Sequence, residues 1–239
     1  MIINKLASSS SSVALVTGGS GGIGLAIARK FAAANLQVVT ADIVEPLQED
    51  EELLYKECDV SKGYDVDSLY AWMNSNTGLP DILVLNAGKG IHEQLLEGDP
   101  EKWLDVLNLN VMGVLRCIRA FVPAMKEKKR GHVVFISSIA AVNAYTYGGV
   151  YSASKAAIEM IAETLRLEVM PDVKVTVIAA GVTDTGFFEN QISGNTTIEE
   201  LGMGHLSAED IADDVLYAIS KRGGAAINKI TTRPAAQEF

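Results

Sequence analysis

Short runs of β-branched and aliphatic residues recur along the chain, separated by longer stretches with helical spacing. The runs are VALVT (13–17), QVVTAD (37–42), LLYKECDV (53–60), DILVLNAG (81–88), HVVFISS (132–138), VKVTVIAAG (173–181) and AINKITT (226–232). The helical stretches are 22–34, 64–76, 100–128, 150–169 and 207–221. Continuous apolar strands alternating with helices predict a parallel sheet covered on both faces, an α/β doubly wound Rossmann-type architecture with seven strands. No repeat, proline-rich linker or break in composition divides the chain, so residues 13–239 read as one domain behind a serine-rich, flexible lead-in at 1–12. The acidic stretch 45–52 reads as a solvated loop or helix end, and 184–206 as an irregular insertion at the site.

The 239 residues carry a formal net charge of −10, a balance that repels phosphate backbones and anionic membranes and excludes nucleic acid as a partner. No apolar run approaches the ~20 residues of a membrane span. Cys58 and Cys117 lie far apart in sequence, which suits a reducing, cytoplasmic compartment. His92, His132 and His205 are scattered, no HxxxH or CxxC spacing occurs, and no metal site is expected.

The first strand runs straight into TGGSGGIGLAIARKF. Gly18, Gly22 and Gly24 form TGxxxGxG at a strand-to-helix junction, with Ser20 and Ile23 inside the turn. Glycine permits the tight bend and close approach of the backbone to a ligand, and the helix start offers free N–H groups to a pyrophosphate. The second strand ends on Asp42, 18 residues beyond Gly24, near the offset at which an acidic residue meets adenosine ribose hydroxyls. The same glycines also contain GxSxG, but only 19 residues precede Ser20, too few for the earlier strands of an α/β-hydrolase. A phosphate-binding P-loop fails because no Lys-Ser or Lys-Thr follows the glycines.

In VYSASKAAIEM, Tyr151 stands four residues before Lys155, on one helix face. With the glycine turn, this YxxxK pair makes the chain resemble the short-chain dehydrogenase/reductase family, over roughly residues 13 to 232. The resemblance implies a catalytic set of Asn110, Ser138, Tyr151 and Lys155. It implies dinucleotide contacts from Asp59 and Val60 at the adenine, from Asn86-Ala87-Gly88 beside the sheet, and from Gly181, Thr183 and Thr185 at the nicotinamide end. Ala180-Gly181 replaces the family's Pro-Gly, which should loosen the 181–206 loop. Lys155 is expected to lower the phenol pKa of Tyr151 and to hold the nicotinamide ribose, Ser138 to orient the substrate oxygen, and Asn110 to fix a proton-relaying water.

The expected activity is NAD-dependent hydride transfer between a small secondary alcohol and its ketone, with NAD preferred over NADP because Asp42 would repel a 2′-phosphate. Arg29 and Lys30 sit in the first helix and should point elsewhere. Reduction of 3-oxoacyl thioesters or of sugars and polyols are alternatives within the family, and a non-catalytic dinucleotide-binding redox sensor is the alternative outside it. INKITTRPAAQ resembles members acting on small hydroxy acids. Pocket walls are expected from 89–94, 139–147 and 187–205, including Ile91, His92, Tyr145, Tyr147, Phe187, Phe188 and Met203, with Lys89 or His92 able to meet a carboxylate. Trp103, Val114, Leu115, Ile118, Phe121, Ile158, Ile161 and Leu165 give two helices more than one apolar face, and a homodimer or homotetramer is expected.

Overall fold

A computed structural model describes residues 12–46, 50–187, 190–194 and 202–238. The first eleven residues of the expected lead-in, Phe188, and 195–201 of the expected insertion lie outside the described residues. The strands are β1 (Val13–Thr17), β2 (Gln37–Asp42), β3 (Leu53–Glu57), β4 (Ile82–Leu85), β5 (His132–Ser138), β6 (Lys174–Ala180), β7 (Thr183–Asp184), β8 (Leu206–Ser207) and β9 (Lys229–Thr232). The helices are α1 (Gly22–Ala33), α2 (Gly63–Asn76), α3 (Pro100–Leu107), α4 (Val114–Glu127), α5 (Gly149–Val169) and α6 (Ala208–Ile219).

Seven strands form one parallel sheet in the order β3-β2-β1-β4-β5-β6-β9. Successive side chains on each strand feed opposite faces, which builds two cores. Val13, Leu15, Leu83, Val133 and Phe135 meet α2, α4 and α5 on one face. Ala14, Val16, Val84, Val134 and Ile178 meet α1 and α6 on the other. The sheet reverses direction of growth between β1 and β4, the position at which open α/β sheets hold ligands beyond the strand ends.

Several expected elements are shorter or divided. The third strand stops at Glu57, because Asp59 begins a turn: Lys62 N–H donates to the Asp59 carbonyl, and Ser61 to its carboxylate. The fourth stops at Leu85, because the Asn86 and Ala87 N–H groups donate to Thr17 Oγ1 instead of continuing the ladder. The last begins at Lys229 rather than 226. The expected helix 100–128 is α3 and α4 joined by a π-helical turn, Asn108–Gly113. Its 28 residues are nonetheless long and apolar enough to cross a membrane by length and composition, contrary to the expectation that no run approaches that limit. Phe121, Val122 and Met125 of that run are buried against the sheet.

The insertion is not irregular throughout, since Thr183 and Asp184 pair in parallel with Leu206 and Ser207. Ala180 does not leave the start of this loop slack. Gly181 N–H donates to the Thr232 carbonyl (2.7 Å), Leu206 N–H to the Val182 carbonyl (2.8 Å) and Thr183 Oγ1 to the Gly181 carbonyl (3.0 Å).

Candidate active site

Beyond the carboxyl ends of the central strands lies one cleft of about 830 Å³. Gly18, Gly22, Ile23, Asp42, Asp59 and Val60 line one end. Ser138, Tyr151, Lys155, Gly181, Thr183 and Thr185 line the other, with Asn86, Ala87 and Gly88 between. Ser20, Gly24 and Asn110 are outside its walls and act behind them.

The glycine turn is shaped by close approach. Gly18 adopts φ +65°, and a Cβ on Gly24 would lie 2.0 Å from the Gly18 carbonyl oxygen, so helix and turn meet only if position 24 is glycine. Asn86 Nδ2 ties the turn to β4 by donating to the Thr17 and Gly18 carbonyls at 3.0 and 2.9 Å. Asp42 ties it to β2, its Oδ2 accepting from Ser20 N–H at 3.1 Å while Oδ1 accepts from Ile43 N–H at 2.8 Å. Helix α1 starts with neither a side-chain cap nor an acidic residue in its first turn, and Ser20 Oγ is buried without a partner. Gly21 has open space where a Cβ would be. Unspent donors beside open space fit a pyrophosphate, so these residues could hold a dinucleotide.

At the other end, β5 delivers Ser138 and the first turns of α5 deliver Tyr151 and Lys155. Ser138 Oγ accepts from Ala140 N–H at 3.1 Å and contacts the Tyr151 phenol. Burial pushes the phenol up to about 12, and the Ser138 hydrogen bond only partly offsets it. Burial lowers Lys155 to about 8, against which the Glu159 carboxylate pulls upward. Lys155 Nζ donates to the Ile136 carbonyl at 2.9 Å and stands 5.7 Å from the Tyr151 ring centre. Lys155 therefore does not bring the phenol down in this state, contrary to expectation, because the ammonium is drawn to β5 and desolvation governs Tyr151.

Asn110 sits behind the cleft wall. Its Nδ2 donates to the Lys89 carbonyl (3.0 Å) and Ser154 Oγ (3.1 Å), and its Oδ1 accepts from Lys89 N–H (2.9 Å). Both amide hydrogens are spent on stapling the loop after β4 to α5. Of the expected pocket walls, Lys89, His92, Ile139, Tyr145, Phe187 and Met203 line the cleft. Ile91 packs into the interior instead, and Tyr147 turns outward from a backbone at φ +69°. His92 Nε2 is 3.1 Å from the Tyr145 hydroxyl, and burial depresses its pKa, so it stays neutral and offers no charge to a carboxylate.

Two further polar residues stand at this end: Glu159, which no sequence pattern marks, and Gln237, the last residue of INKITTRPAAQ. Glu159 accepts from Ser137 Oγ (3.0 Å) and Lys229 Nζ (2.6 Å), joining α5, β5 and β9 behind Lys155. Gln237, in the C-terminal tail, is a cleft wall whose Oε1 accepts from Val182 N–H at 3.2 Å. Among the described residues no group of three or more His, Cys, Asp or Glu side chains could hold a metal.

A parallel sheet with this strand order, a glycine turn at its switch point and a Ser-Tyr-Lys cluster across the cleft define a dinucleotide-binding oxidoreductase fold. A family model described as short chain dehydrogenase matches residues 12–196, and the chain belongs to that family. It is similar to a farnesol dehydrogenase of Aedes aegypti, 33% identical over 95% of this chain and 97% of that protein. It is also similar to human dehydrogenase/reductase SDR family member 11, 32% identical over 94% of this chain and 95% of that one. Among solved structures, the closed form of a serine dehydrogenase complexed with NADP+ superposes with a TM-score of 0.86 at 25% identity, covering 95% of this chain and 96% of that chain. An alcohol dehydrogenase from Thermococcus sibiricus, complexed with 5-hydroxy-NADP, gives 0.84 at 27% identity, covering 96% and 99%.

Proposed function

We propose that this oxidoreductase interconverts an alcohol and its carbonyl compound by hydride transfer with NAD, in preference to NADP. The observation that carries the reading is the single cleft that joins the glycine turn and Asp42 at one end to Ser138, Tyr151 and Lys155 at the other. A bound nicotinamide supplies the hydride acceptor or donor. The chain's own residues manage the proton and the geometry. Tyr151 gives or takes the proton at the substrate oxygen. Ser138 holds that oxygen and stabilises its developing charge. Lys155, when protonated, favours the phenolate and anchors a ribose hydroxyl. Asn110 keeps α5 in place through Ser154 and Lys89.

The substrate end is walled by Ile139, Phe187, Ile192 and Met203, with His92, Tyr145 and Asn143 as its neutral polar groups. A small secondary alcohol with an apolar body fits this wall better than a polyol does. The farnesol dehydrogenase named above supports an apolar alcohol, and the serine dehydrogenase a small hydroxy acid. Within this reading the chain works as one domain, self-associates, and resides in the cytoplasm with Cys58 and Cys117 as free, buried thiols. A panel of alcohols with NAD and NADP, and of ketones with the reduced forms, followed by absorbance of the reduced nicotinamide, tests it. Turnover of no member, with no dinucleotide binding, would overturn it.

A further inference from the structure

The C-terminal tail after β9 folds back over the start of the loop that follows β6. Gln237 N–H donates to the Pro234 carbonyl at 2.9 Å, closing a turn that brings the Gln237 side chain onto Gly181 and Val182. The fit has no slack: a Cβ on Gly181 would lie 2.5 Å from Gln237 Oε1 and 2.8 Å from the Arg233 Cα. Gln237 is only 8% exposed, yet it forms part of the cleft wall together with Ser138, Tyr151 and Gly181.

The carboxamide is oriented by its partner. Val182 N–H can only donate, so the oxygen of Gln237 faces it and Nε2 occupies the other branch. Among the described residues Nε2 has no acceptor. Nε2 is not one of the buried unpaired atoms and Gln237 lines the cleft, so this donor is open to an acceptor there. Asp42 and Asp59 mark the adenine end on the far side of the sheet, four strand positions from β6 in the case of β2. The acceptor therefore belongs to the reacting end.

We infer that Gln237 is a ligand-binding residue, donating from Nε2 to an acceptor oxygen at the reacting end while its Oε1 holds the loop after β6. The inference rests on the proposed dinucleotide-dependent reaction. The oxygen is a carbonyl or carboxylate oxygen, from either the nicotinamide carboxamide or the substrate. Position 180 carries alanine, and the tail supplies by hydrogen bonds the order that a proline there would supply covalently.

Gln237→Glu separates the two halves of the carboxamide. A carboxylate keeps the bulk and still accepts from Val182, but has no hydrogen to donate. Its melting temperature should fall somewhat, because a carboxylate in this buried place costs desolvation, and ligand affinity should fall about 10- to 100-fold, the scale of one unmade hydrogen bond in a buried site. If the oxygen is the cofactor's, the loss appears in the NADH dissociation constant from fluorescence titration. If it is the substrate's, NADH affinity holds and KM rises for farnesol or serine with NAD. Independently of any variant's folding, the Gln237 side-chain NH₂ resonances in ¹⁵N-labelled protein should shift on adding NADH, or NAD with the alcohol. Gln237→Leu identifies those resonances by removing them. Unchanged NADH affinity and KM in Gln237→Glu, or NH₂ resonances that ignore both ligands, would overturn the inference while leaving the reaction intact. An unmutated protein that binds no dinucleotide would overturn both.

Discussion

Lys155 Nζ donates to the Ile136 carbonyl at 2.9 Å, so the ammonium that shares a helix face with Tyr151 is anchored on the strand that carries Ser138. That bond sets where the charge sits and fixes α5 against β5. The acidity of the phenol is then set by burial, which raises its pKa to about 12, and by the Ser138 hydrogen bond, which offsets only part of that rise, so it stays protonated near neutral pH. A protonated phenol is poised to donate to a carbonyl substrate, so turnover should be faster toward reduction at pH 7 than toward oxidation.

Tyr151→Phe keeps the ring that packs against Phe187 at 5.6 Å and removes only the hydroxyl. Turnover should fall by about 10²–10⁴-fold, the usual effect of losing a general acid or base. NADH affinity by fluorescence titration should hold. Turnover like that of the unmutated protein would refute the assignment of the proton to this residue.

Lys155 must stay charged to do its work, and Glu159 is the carboxylate that favours the charge. Burial pulls the lysine down to about 8 even with Glu159 opposing it, so it is protonated below that pH and loses its proton above it. Glu159→Gln keeps an acceptor for Ser137 but removes the negative charge, which lowers the lysine pKa further. The alkaline limb of the reduction rate should move to lower pH by on the order of one unit. The groups facing Lys155 are Tyr151 and Glu159, with Lys229 behind the carboxylate. A limb that stays in place would show that Glu159 is only a mechanical joint between α5, β5 and β9.

The glycine turn, Asp42 and the Tyr-Lys face were legible because each is a local pattern, read within one junction or one helix turn. The alternation of strands and helices gave the sheet for the same reason. What stayed hidden depends on distant pairing. Gln237 reaches Val182 across 55 positions, and the stretch INKITTRPAAQ that ends on it gives no sign of that pairing. The π-helical turn at Asn108–Gly113 has the composition of ordinary helix, and only its hydrogen bonding divides 100–128. Strand ends were overrun wherever a side chain took the ladder's partner, as Thr17 Oγ1 does at Asn86. Sequence shows that Tyr151 and Lys155 share a helix face, but not how deeply both are buried, and burial is what governs the phenol before a ligand binds.

His132 predicts an acid limit to stability. Its Nε2 pairs with Thr176 Oγ1 at 2.8 Å inside the sheet, and burial, aided by Lys174, depresses its pKa to about 4. The folded state holds it neutral, while the unfolded chain binds a proton below about 6.5. Its contribution is thus intact above pH 6.5 and is lost as pH falls toward 4. The loss amounts to about 3 kcal/mol, scaled from 1.36 kcal/mol per pKa unit. Urea melts at pH 7 and pH 4.5 should show it, and His132→Gln should flatten the slope. An equal slope in that variant would place the acid sensitivity elsewhere.

Self-association should run through the exposed apolar positions of the two helices expected to carry it. Of the residues named for it, Val114, Phe121, Ile158 and Leu165 are buried in the core, whereas Trp103, Leu115, Ile118 and Ile161 are half-buried. Leu104, Leu107 and Met112 in and after α3, with Met160 and Leu167 on α5, are the exposed apolar positions of these helices. Light scattering at micromolar concentration should show an assembly above 25.5 kDa, and Met160→Glu with Leu167→Glu should dissociate it. A monomer for the unmutated protein would overturn this.

Cofactor choice turns on Asp42. Its carboxylate lines the cleft between the glycine turn and the end of β2, where an adenosine ribose would lie. The cations that could reverse its effect are committed elsewhere: Arg29 to Asp50 at 3.3 Å, and Lys30 to Asp213. A 2′-phosphate beside the carboxylate is repelled, whereas two ribose hydroxyls can donate to it. NAD should therefore be favoured over NADP by about 1–3 kcal/mol, or roughly ten- to a hundredfold in kcat/KM. The similar solved structures named above carry NADP+ or 5-hydroxy-NADP, so a side-by-side assay with NAD and NADP tests whether this chain differs from them. Alanine at 42 would also release Ser20 and disturb the turn, so Asp42→Asn is the cleaner variant: it keeps an acceptor for the Ser20 N–H and removes the charge. The preference should shrink toward parity, chiefly through recovery of NADP. Equal use of both cofactors before mutation would mean that Asp42 serves only to hold the glycine turn.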